Sequence, residues 1–452
     1  MRILSLIISW SSFAAFIFLL AIFLNWSLDQ FLKNVGLDVS PKMVITVLGV
    51  IIGLGLLSIF LRPKKTNKTA KTFFSSSERL KQPEPDRYNL SVNNDGDKII
   101  LTMSGGGIKA GLFHLGGLRA LNNHAILSQI AAFSSVSGGS ITNAWLAINW
   151  SKLIFDDTGI ASNFDEVIFD PLFKYFTQKS VSILDLILGF LPFSSIAERL
   201  ANSLDRNLYK GATLSGLPDP ETGPEFFIAS TDMRTNTAWY FGRDKNGPVT
   251  TNYKLGIVRE DFTLGQAVSA SAAFPPFISP FVIKLTTPMK PSENLSRLLK
   301  EDSKLANIYL NEMILGDGGI YDNLGAEKIK RFGTVFISNA SSPVKIVPNY
   351  AKNWLSQYDA IASRVHRQVE QRRKIHLVDL SVLEKIKLHI WEMDDIMDKA
   401  AANQFDGLEF EAAWMAGTYK VRLSPIAPLI AKDIVKHGES LARRELQETH
   451  PN

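Results

Sequence analysis

The most informative stretch of this chain is an apolar run that ends in three consecutive glycines: Ile99-Ile100-Leu101-Thr102-Met103-Ser104-Gly105-Gly106-Gly107-Ile108-Lys109. Further along, a second apolar run ends in a serine and two glycines: Ala132-Phe133-Ser134-Ser135-Val136-Ser137-Gly138-Gly139. Each run has the length of a buried strand, and a helical pattern follows each turn. The two segments therefore predict strand–turn–helix units of a parallel sheet, with both turns at the carboxyl ends of strands.

Strand-length apolar runs alternate with helical patterns through the rest of the chain. The predicted strands are Ile99–Met103, Ala132–Val136, Phe226–Ser230, Tyr309–Leu315, Thr334–Ser338 and Ile375–Leu380. The predicted helices include Leu112–Asn122, Ile141–Trp150, Tyr358–Arg373 and Ala431–Leu446. This alternation predicts one α/β domain over residues 98–452, in which helices cover both faces of a mainly parallel central sheet.

Two uncharged apolar segments open the chain, at about 3–26 and 43–61. At about 1.5 Å per residue, each is long enough to cross a hydrocarbon core of about 30 Å. They predict a transmembrane helical hairpin within residues 1–61, followed by a basic flexible linker over 62–97. The basic run from Arg62 to Lys71 places the following domain on the cytoplasmic side of an integral membrane protein.

Composition excludes several kinds of site. The 452-residue chain contains no cysteine, so disulfides, thiolate catalysis and cysteine-ligated metals are excluded. The net charge of +5 at pH 7 is modest, and much of it lies in the basic run after the second apolar segment. No calcium-loop pattern occurs. We therefore expect no metal, no cofactor and no nucleic-acid partner.

The glycine run Gly105–Gly107 has three interpretations. Its backbone N–H groups could cradle a nucleotide phosphate or form an oxyanion hole, or the run could be a tight structural turn. A dinucleotide fingerprint needs a glycine where Ala110 stands, and a P-loop needs Ser or Thr directly after Lys109. Because neither nucleotide pattern fits, the oxyanion hole is favoured, with the structural turn as the alternative.

Ser137 stands in a turn that differs by one residue from the Gly-x-Ser-x-Gly pattern of a nucleophile elbow, because Ser135 replaces the first glycine. In an elbow, the serine takes a strained backbone conformation between a strand and a helix. The N-terminus of that helix directs its partial positive charge towards an anion that forms at the serine. Turns rich in Ser and Gly are common, so the motif indicates a nucleophile only if a base is also present.

The base for Ser137 must come from the histidines or the carboxylates. None of the seven histidines follows a strand in a short loop flanked by glycines. Asp317, in contrast, ends an apolar strand within Leu315-Gly316-Asp317-Gly318-Gly319. A carboxylate can act as the base where a poorly hydrated cleft raises its proton affinity. We therefore expect a Ser137–Asp317 dyad.

The glycine run, the Ser137 turn and the Asp317 turn, in this order, resemble the blocks of the patatin-like phospholipases, a family of lipid acyl hydrolases. Two further blocks of the family match at Ala229–Met233 and Ser269–Pro276, and a weaker match lies at Tyr209–Leu214. The resemblance implies that Ser137 is the nucleophile and Asp317 its base. It also implies an oxyanion hole formed by the amides of Gly105, Gly106 and Gly107. The residues expected to support this site are Lys109, Gly138, Gly139, Gly318 and Gly319.

Four residues depart from the family pattern. Ser104 stands where the family has Asp, and Lys109 stands where it has Arg. Ala110 and Ser135 each replace a glycine. Only the change at Ser104 removes a charge, whereas Lys109 keeps the positive charge without the bidentate guanidinium.

Together these features predict a membrane-anchored serine lipid acyl hydrolase that cleaves ester bonds of phospholipids or related glycerolipids taken from the bilayer. Two alternatives are open. A Ser-His-Asp esterase would use a late histidine, His366 or His376, as its base. A catalytically silent membrane scaffold would account for the departures from the family pattern.

Overall fold

The computed structural model describes residues 98–179, 195–275, 278–301, 308–342, 354–383 and 386–449. The chain divides into two units, and every described residue belongs to the larger one, Thr72–Gly189 with Ser195–Asn452. The smaller unit, Met1–Lys71 with Phe190–Ser194, lies outside the described residues. The predicted linker over 62–97 lies outside them as well.

One 11-stranded mixed sheet forms the centre of the described part. Its strands are β1 (Ile99–Met103), β2 (Ile130–Val136), β3 (Glu225–Asp232), β4 (Thr237–Asp244), β5 (Gly247–Asn252), β6 (Gly256–Val258), β7 (Phe281–Lys284), β8 (Lys290–Pro291), β9 (Glu312–Asp317), β10 (Thr334–Asn339) and β11 (Lys387–Glu392). The order is β11-β10-β1-β2-β3-β4-β5-β6-β8, and β9 pairs with both β3 and β7.

The α-helices of the described part surround this sheet. They are α1 (Gly107–Asn123), α2 (Gly138–Asn149), α3 (Asp170–Lys174), α4 (Ile196–Leu204), α5 (Leu264–Ser271), α6 (Glu293–Glu301), α7 (Gly319–Asp322), α8 (Trp354–Leu383), α9 (Lys399–Gln404), α10 (Phe410–Thr418) and α11 (Pro428–Thr449). Helices α1 and α2 directly follow β1 and β2, as the sequence predicts.

Only one half of the sheet is parallel. Strands β11, β10, β1, β2 and β3 run parallel, and β1 lies between β10 and β2. The direction of the crossovers therefore reverses at β1, where open α/β sheets bind ligands. From β3 to β8 the pairing is antiparallel, which corrects the expectation of a mainly parallel sheet. The connections between consecutive strands from β3 to β6 are short, so they allow hairpins but not crossover helices.

Apolar side chains cover both faces of the parallel strands. Leu101 and Met103 of β1 join one buried cluster, which includes residues of α1, α2, α5 and α11. Ile100 faces the other side and joins a second cluster, to which Leu377 of α8 contributes. This alternation follows from the two-residue period of a strand. The sheet therefore lies between two layers, each with its own core.

The segment Ile375–Leu380 is not the strand that the sequence predicts but part of α8. Leu377 and Leu380, three residues apart, are buried, whereas Ile375 and Val378 are exposed. That spacing is the period of a helix. No glycine or proline interrupts residues 354–383, so the helix continues through the apolar run.

The predicted transmembrane hairpin needs correction. Within the described ranges, no helix combines the length and the apolar composition that a membrane span requires. The two long helices, α8 and α11, carry many charged side chains, among them Arg372 and Arg443. The segments 3–26 and 43–61 lie outside the described residues. The structure therefore does not support an integral membrane protein with a cytoplasmic domain, and both predictions are withdrawn.

Candidate active site

Ser137 occupies the turn between β2 and α2. Its φ of 50° and ψ of −118° are unusual for a residue with a side chain. Two hydrogen bonds hold this conformation: the Ser137 N–H donates to Oγ of Ser271 at 2.8 Å, and the Ser140 N–H donates to the Ser137 carbonyl at 3.0 Å. This geometry is that of a strained nucleophile elbow.

The two glycines after Ser137 bring the elbow against the glycine run. A Cβ on Gly138 would lie 2.0 Å from the carbonyl oxygen of Gly107, and a Cβ on Gly139 would lie 2.6 Å from that of Met103. Both obstacles are backbone atoms, which cannot rotate away. The close approach of the two predicted turns therefore depends on the absence of side chains at these positions.

A chain of buried hydroxyl groups supports the elbow. The Oγ atom of Ser140 lies 2.9 Å from that of Ser271 and 3.0 Å from that of Ser135. Asn143 donates its side-chain N–H to Ser135 at 2.8 Å. Each hydroxyl can donate one hydrogen bond and accept others, so the chain ends at the N–H of Ser137. Ser135, the departure from the elbow pattern, is thus an integral part of this network.

Asp317 ends β9, where it lies opposite Ser230 of β3. Its buried carboxylate accepts a hydrogen bond from the N–H of Gly319 at 2.7 Å, and the side chain of Ser137 lies close enough to favour its charged form. Burial raises the pKa of Asp317 to about 6, although the Ser137 side chain and the Gly319 N–H both act in the opposite direction. A carboxyl group with this pKa accepts a proton more readily near neutral pH than an exposed one does.

The glycines after Asp317 also allow close backbone contacts. A Cβ on Gly318 would lie 2.5 Å from the carbonyl oxygen of Ala229, and a Cβ on Gly319 would lie 3.0 Å from Oδ1 of Asp317. The N–H of Gly318 donates to the Ser271 carbonyl at 3.0 Å. The sequence blocks that contain Ala229 and Ser271 therefore both lie beside the Asp317 turn.

The glycine run lies next to Ser137, but its three amides are not equivalent. A Cβ on Gly105 would lie 3.2 Å from Cβ of Ser137. The Gly105 N–H, however, already donates to the carbonyl of Asn323 at 3.2 Å. Gly106 and Gly107 have positive φ values of 141° and 66°, and their amides have no acceptor among the described residues. The candidates for an oxyanion hole are therefore the amides of Gly106 and Gly107.

Ser104 and His114 fix the chain at the start of the glycine run through hydrogen bonds. Ser104 Oγ accepts the N–H of Ala340 at 2.8 Å. The His114 ring lies between the Ser104 carbonyl, 2.9 Å from Nε2, and the Ser338 hydroxyl, 2.7 Å from Nδ1. Burial lowers the pKa of His114 to about 4, so the ring is neutral and donates from Nε2. With both nitrogens engaged, His114 is not available as a base for Ser137.

Lys109 contacts the C-terminal part of the chain. Its buried ammonium group donates to Oγ of Ser342 at 2.5 Å and to the carbonyl of Gly417 at 3.1 Å. Gly417 lies in the last turn of α10, where the carbonyl groups carry partial negative charge. Lys109 was expected to support the site, and the structure places its charge at the end of this helix.

Asn323 and Glu370 were not identified from the sequence. The side-chain amide of Asn323 donates to Glu370 Oε2 at 3.2 Å. Glu370 is a buried residue of α8 and also accepts hydrogen bonds from Asn339 and Ser341, at 3.0 and 2.8 Å. Asn323 could have been found because it follows Asp317 closely. No local signal marked Glu370, which lies on an arginine-rich helix.

The late histidines give no support to a Ser-His-Asp triad. His366 and His376 both belong to α8. The side chain of His366 lies outside the described part. His376 lines a cavity of about 280 Å³ together with Arg373 and Glu327. Among the described carboxylates, Asp317 is the one whose pKa the Ser137 side chain lowers.

Comparisons with known proteins give one family match and several solved structures of low similarity. The model of the family described as patatin-like phospholipase matches residues 101–328. Among solved structures, VipD from Legionella pneumophila is similar at 13% identity and a TM-score of 0.31, covering 78% of this chain and 67% of that protein. Human GIVD cytosolic phospholipase A2 is similar at 11% identity and a TM-score of 0.40, with 78% and 61% covered. This chain thus spans less than two thirds of the human enzyme. None of the curated proteins matches the sequence.

Proposed function

The chain belongs to the patatin-like phospholipases, and we propose that it cleaves ester bonds of phospholipids or related glycerolipids through a Ser137–Asp317 dyad. Membership of the family makes it a lipid ester hydrolase. The observation that carries the dyad is that the Ser137 side chain acts on the pKa of the buried Asp317 carboxylate, so the two groups lie close together. A hydroxyl beside a base can lose its proton to that base as it attacks.

In the acylation step, Oγ of Ser137 attacks the carbonyl carbon of the lipid ester while its proton passes to Asp317. The tetrahedral intermediate then collapses, and the bond to the alcohol oxygen breaks. The leaving alcohol takes the proton from Asp317. This step leaves the fatty acyl group esterified to Ser137 and releases the rest of the lipid.

In the deacylation step, a water molecule replaces the alcohol. Asp317 accepts a proton from the water as the water oxygen attacks the acyl carbon. The bond to Oγ of Ser137 then breaks, and Oγ recovers the proton from Asp317. The fatty acid leaves, and both side chains return to their starting states.

The negative charge of the tetrahedral intermediate needs donors that are already oriented. The amides of Gly106 and Gly107 lie at the N-terminus of α1, which adds the partial positive charge of the helix. Fixed donors of this kind stabilise the transition state without reorganisation, and removal of one typically costs about a hundredfold or more in rate. We assign the oxyanion to these two amides rather than to all three glycines, because the Gly105 amide is already engaged.

A fluorophosphonate probe tests this proposal directly, because such probes form a covalent bond with activated serines. We expect the native chain to be labelled and to release fatty acid from phosphatidylcholine. Ser137→Ala and Asp317→Asn should each lower hydrolysis at least about a thousandfold. The matched controls Ser151→Ala and Asp157→Asn change exposed residues and should retain activity. Labelling that persists in Ser137→Ala would rule out Ser137 as the nucleophile.

A further inference from the structure

Helix α10 exposes its large apolar side chains and buries its small ones. Phe410, Trp414 and Met415 are 64%, 38% and 63% exposed, whereas Ala413 and Ala416 are buried. A surface helix normally turns its large apolar residues towards the core. The reversed orientation of α10 places aromatic and thioether groups in water, which is typical of a surface that binds an apolar partner.

The segment that follows α10 reaches the candidate oxyanion hole. After α10 the chain reaches Val421, which is 62% exposed. Its Cγ1 atom lies only 3.1 Å from the position that a Cβ on Gly107 would occupy. The carbonyl of Arg422 accepts the N–H of Ile108 at 3.0 Å. We call the four exposed side chains the apolar rim; they are Phe410, Trp414, Met415 and Val421.

The apolar rim is held firmly in place. The buried ammonium group of Lys109 binds the carbonyl of Gly417 near the C-terminus of α10. The small buried residues of α10 allow it to pack closely against α11. The rings of Phe410 and Trp414 stack with an interplanar angle of 6°. Lys109 therefore links the start of α1, where the glycine run lies, to the helix that carries the rim.

We propose that the apolar rim is the surface by which this protein docks on a lipid aggregate and takes up its substrate. The proposal rests on the lipid hydrolase function proposed above. Because the acyl chains of a lipid are apolar, contact with the apolar rim, which reaches Gly107 at Val421, lowers the cost of bringing an ester to Ser137. Tryptophan and phenylalanine favour the interfacial region of bilayers, and a short helix can lie in that plane.

The continuity with the glycine run favours a lipid surface over a protein as the occupant. The rim lies within residues 410–421, outside the region 101–328 that the family model matches. It is therefore a feature of this chain rather than of the matched family region.

The charges beside the rim indicate which lipids it binds. Glu409, Glu411 and Lys420 are exposed, and Arg422 is partly exposed. The net charge of these two acidic and two basic side chains is zero, so electrostatic attraction to anionic headgroups adds little to lipid binding. Docking should therefore depend on apolar contact, occur on zwitterionic phosphatidylcholine and resist salt.

A fluorescent label on the rim tests the proposal in the full chain. Because the chain contains no cysteine, Met415→Cys supplies a single site for a polarity-sensitive fluorophore. The vesicles are ether-linked phosphatidylcholine, which has no ester to cleave. We expect a blue shift at residue 415 when vesicles are added, and quenching by brominated acyl chains. The matched control, Ile154→Cys, has a similarly exposed position at 64% and should show neither change. The fluorophore reports only on its own surroundings, so contact between lipid and another part of the chain does not change the fluorescence at residue 415.

Hydrolysis by the unlabelled chain provides the second measurement. The double variant Phe410→Ser/Met415→Ser should lose about tenfold or more of the rate on phosphatidylcholine vesicles. Its rate on a soluble short-chain ester should be unchanged. Ile154→Ser should match the native chain on both substrates.

The outcomes separate this inference from the proposed function. A blue shift at residue 415 in a chain that hydrolyses no ester would support docking by the apolar rim and overturn the hydrolase proposal. An unshifted label in a chain that hydrolyses the soluble ester would overturn the rim. A shift that requires anionic lipid and disappears at high salt would also overturn it, because apolar contact would not be the cause. If residue 415 does not tolerate the label, Phe410→Cys provides the same test.

Discussion

Among single residues, Asp317 is a group whose burial works against stability. Its pKa is raised from 3.8 to about 6 because burial disfavours the charged carboxylate. Folding therefore raises its proton affinity, and the stability that depends on this proton is lost as the pH rises through about 6. The property that makes Asp317 a better base thus costs free energy of folding at neutral pH.

Asp317→Asn should consequently make the protein more stable at neutral pH while abolishing hydrolysis. The neutral amide avoids the cost of burying a charge, which is about 3 kcal/mol for a shift of this size. The gain should be near zero below pH 4 and should grow as the pH rises towards 7. Denaturant unfolding at several pH values measures it, with exposed Asp157→Asn as the control for one lost charge. A variant less stable than the native chain at pH 8 would contradict this account.

Among elements, the crossing of α1 and α2 determines where the two turns meet. The Gly138 backbone approaches the Gly107 carbonyl so closely that the elbow and the glycine run form one surface. The buried hydroxyls of Ser140 and Ser271 then set the orientation of the Ser137 turn. The site is therefore built between helix N-termini rather than on one flexible loop.

A methyl group at Gly138 should disrupt this crossing. Its Cβ would lie 2.0 Å from the Gly107 carbonyl oxygen, so α1 and α2 would have to separate. We expect Gly138→Ala to lose at least about 3 kcal/mol of stability and the probe labelling of Ser137. Gly216→Ala is the control, because no atom lies within 4 Å of its added Cβ. Thermal unfolding and labelling together check the prediction, and a Gly138→Ala chain that melts like Gly216→Ala would refute it.

For the whole molecule, the matched region 101–328 does not contain all the strands that complete its sheet. Strand β10 lies beyond it and pairs with β1 along the entire length of β1. Helix α11 then packs closely on α1: a Cβ on Gly116 would lie 2.1 Å from the Val435 carbonyl oxygen, and one on Gly438 would lie 2.2 Å from that of Phe113. The C-terminal segments therefore belong to the same core as the site.

A chain that ends at residue 427 should fail to fold, although it retains every sequence block of the family. It lacks α11, whose buried residues include Ile434, Val435 and Leu441, and it exposes the apolar face of α1. We expect aggregation and no probe labelling, measured by size-exclusion chromatography and gel fluorescence. A chain that ends at residue 447 keeps these contacts and serves as the control. A soluble, labelled 427-residue chain would show that α11 is dispensable.

Local patterns in the sequence were enough to locate the turns. The strand–turn–helix signals at Gly105 and Ser137 depend on neighbouring residues, and the structure has β1 and β2 followed by helices as predicted. Longer-range features were predicted less well. The antiparallel half of the sheet was missed because the pairing of strands depends on connections rather than on each strand alone. Residues 375–380 were misassigned because short apolar runs suit both strands and buried helices.

The chemical groups of this site are visible in the sequence: a serine and an aspartate at strand ends, and a glycine run that offers backbone amides. The protonation and hydrogen-bonding of these groups depend on the packed structure. Burial raises the pKa of Asp317, the Asn323 carbonyl engages the Gly105 amide, and Lys109 binds the end of α10. Each of these contacts joins segments far apart in the chain. Desolvation and hydrogen bonding are set by the packed neighbours of a group rather than by its neighbours in sequence.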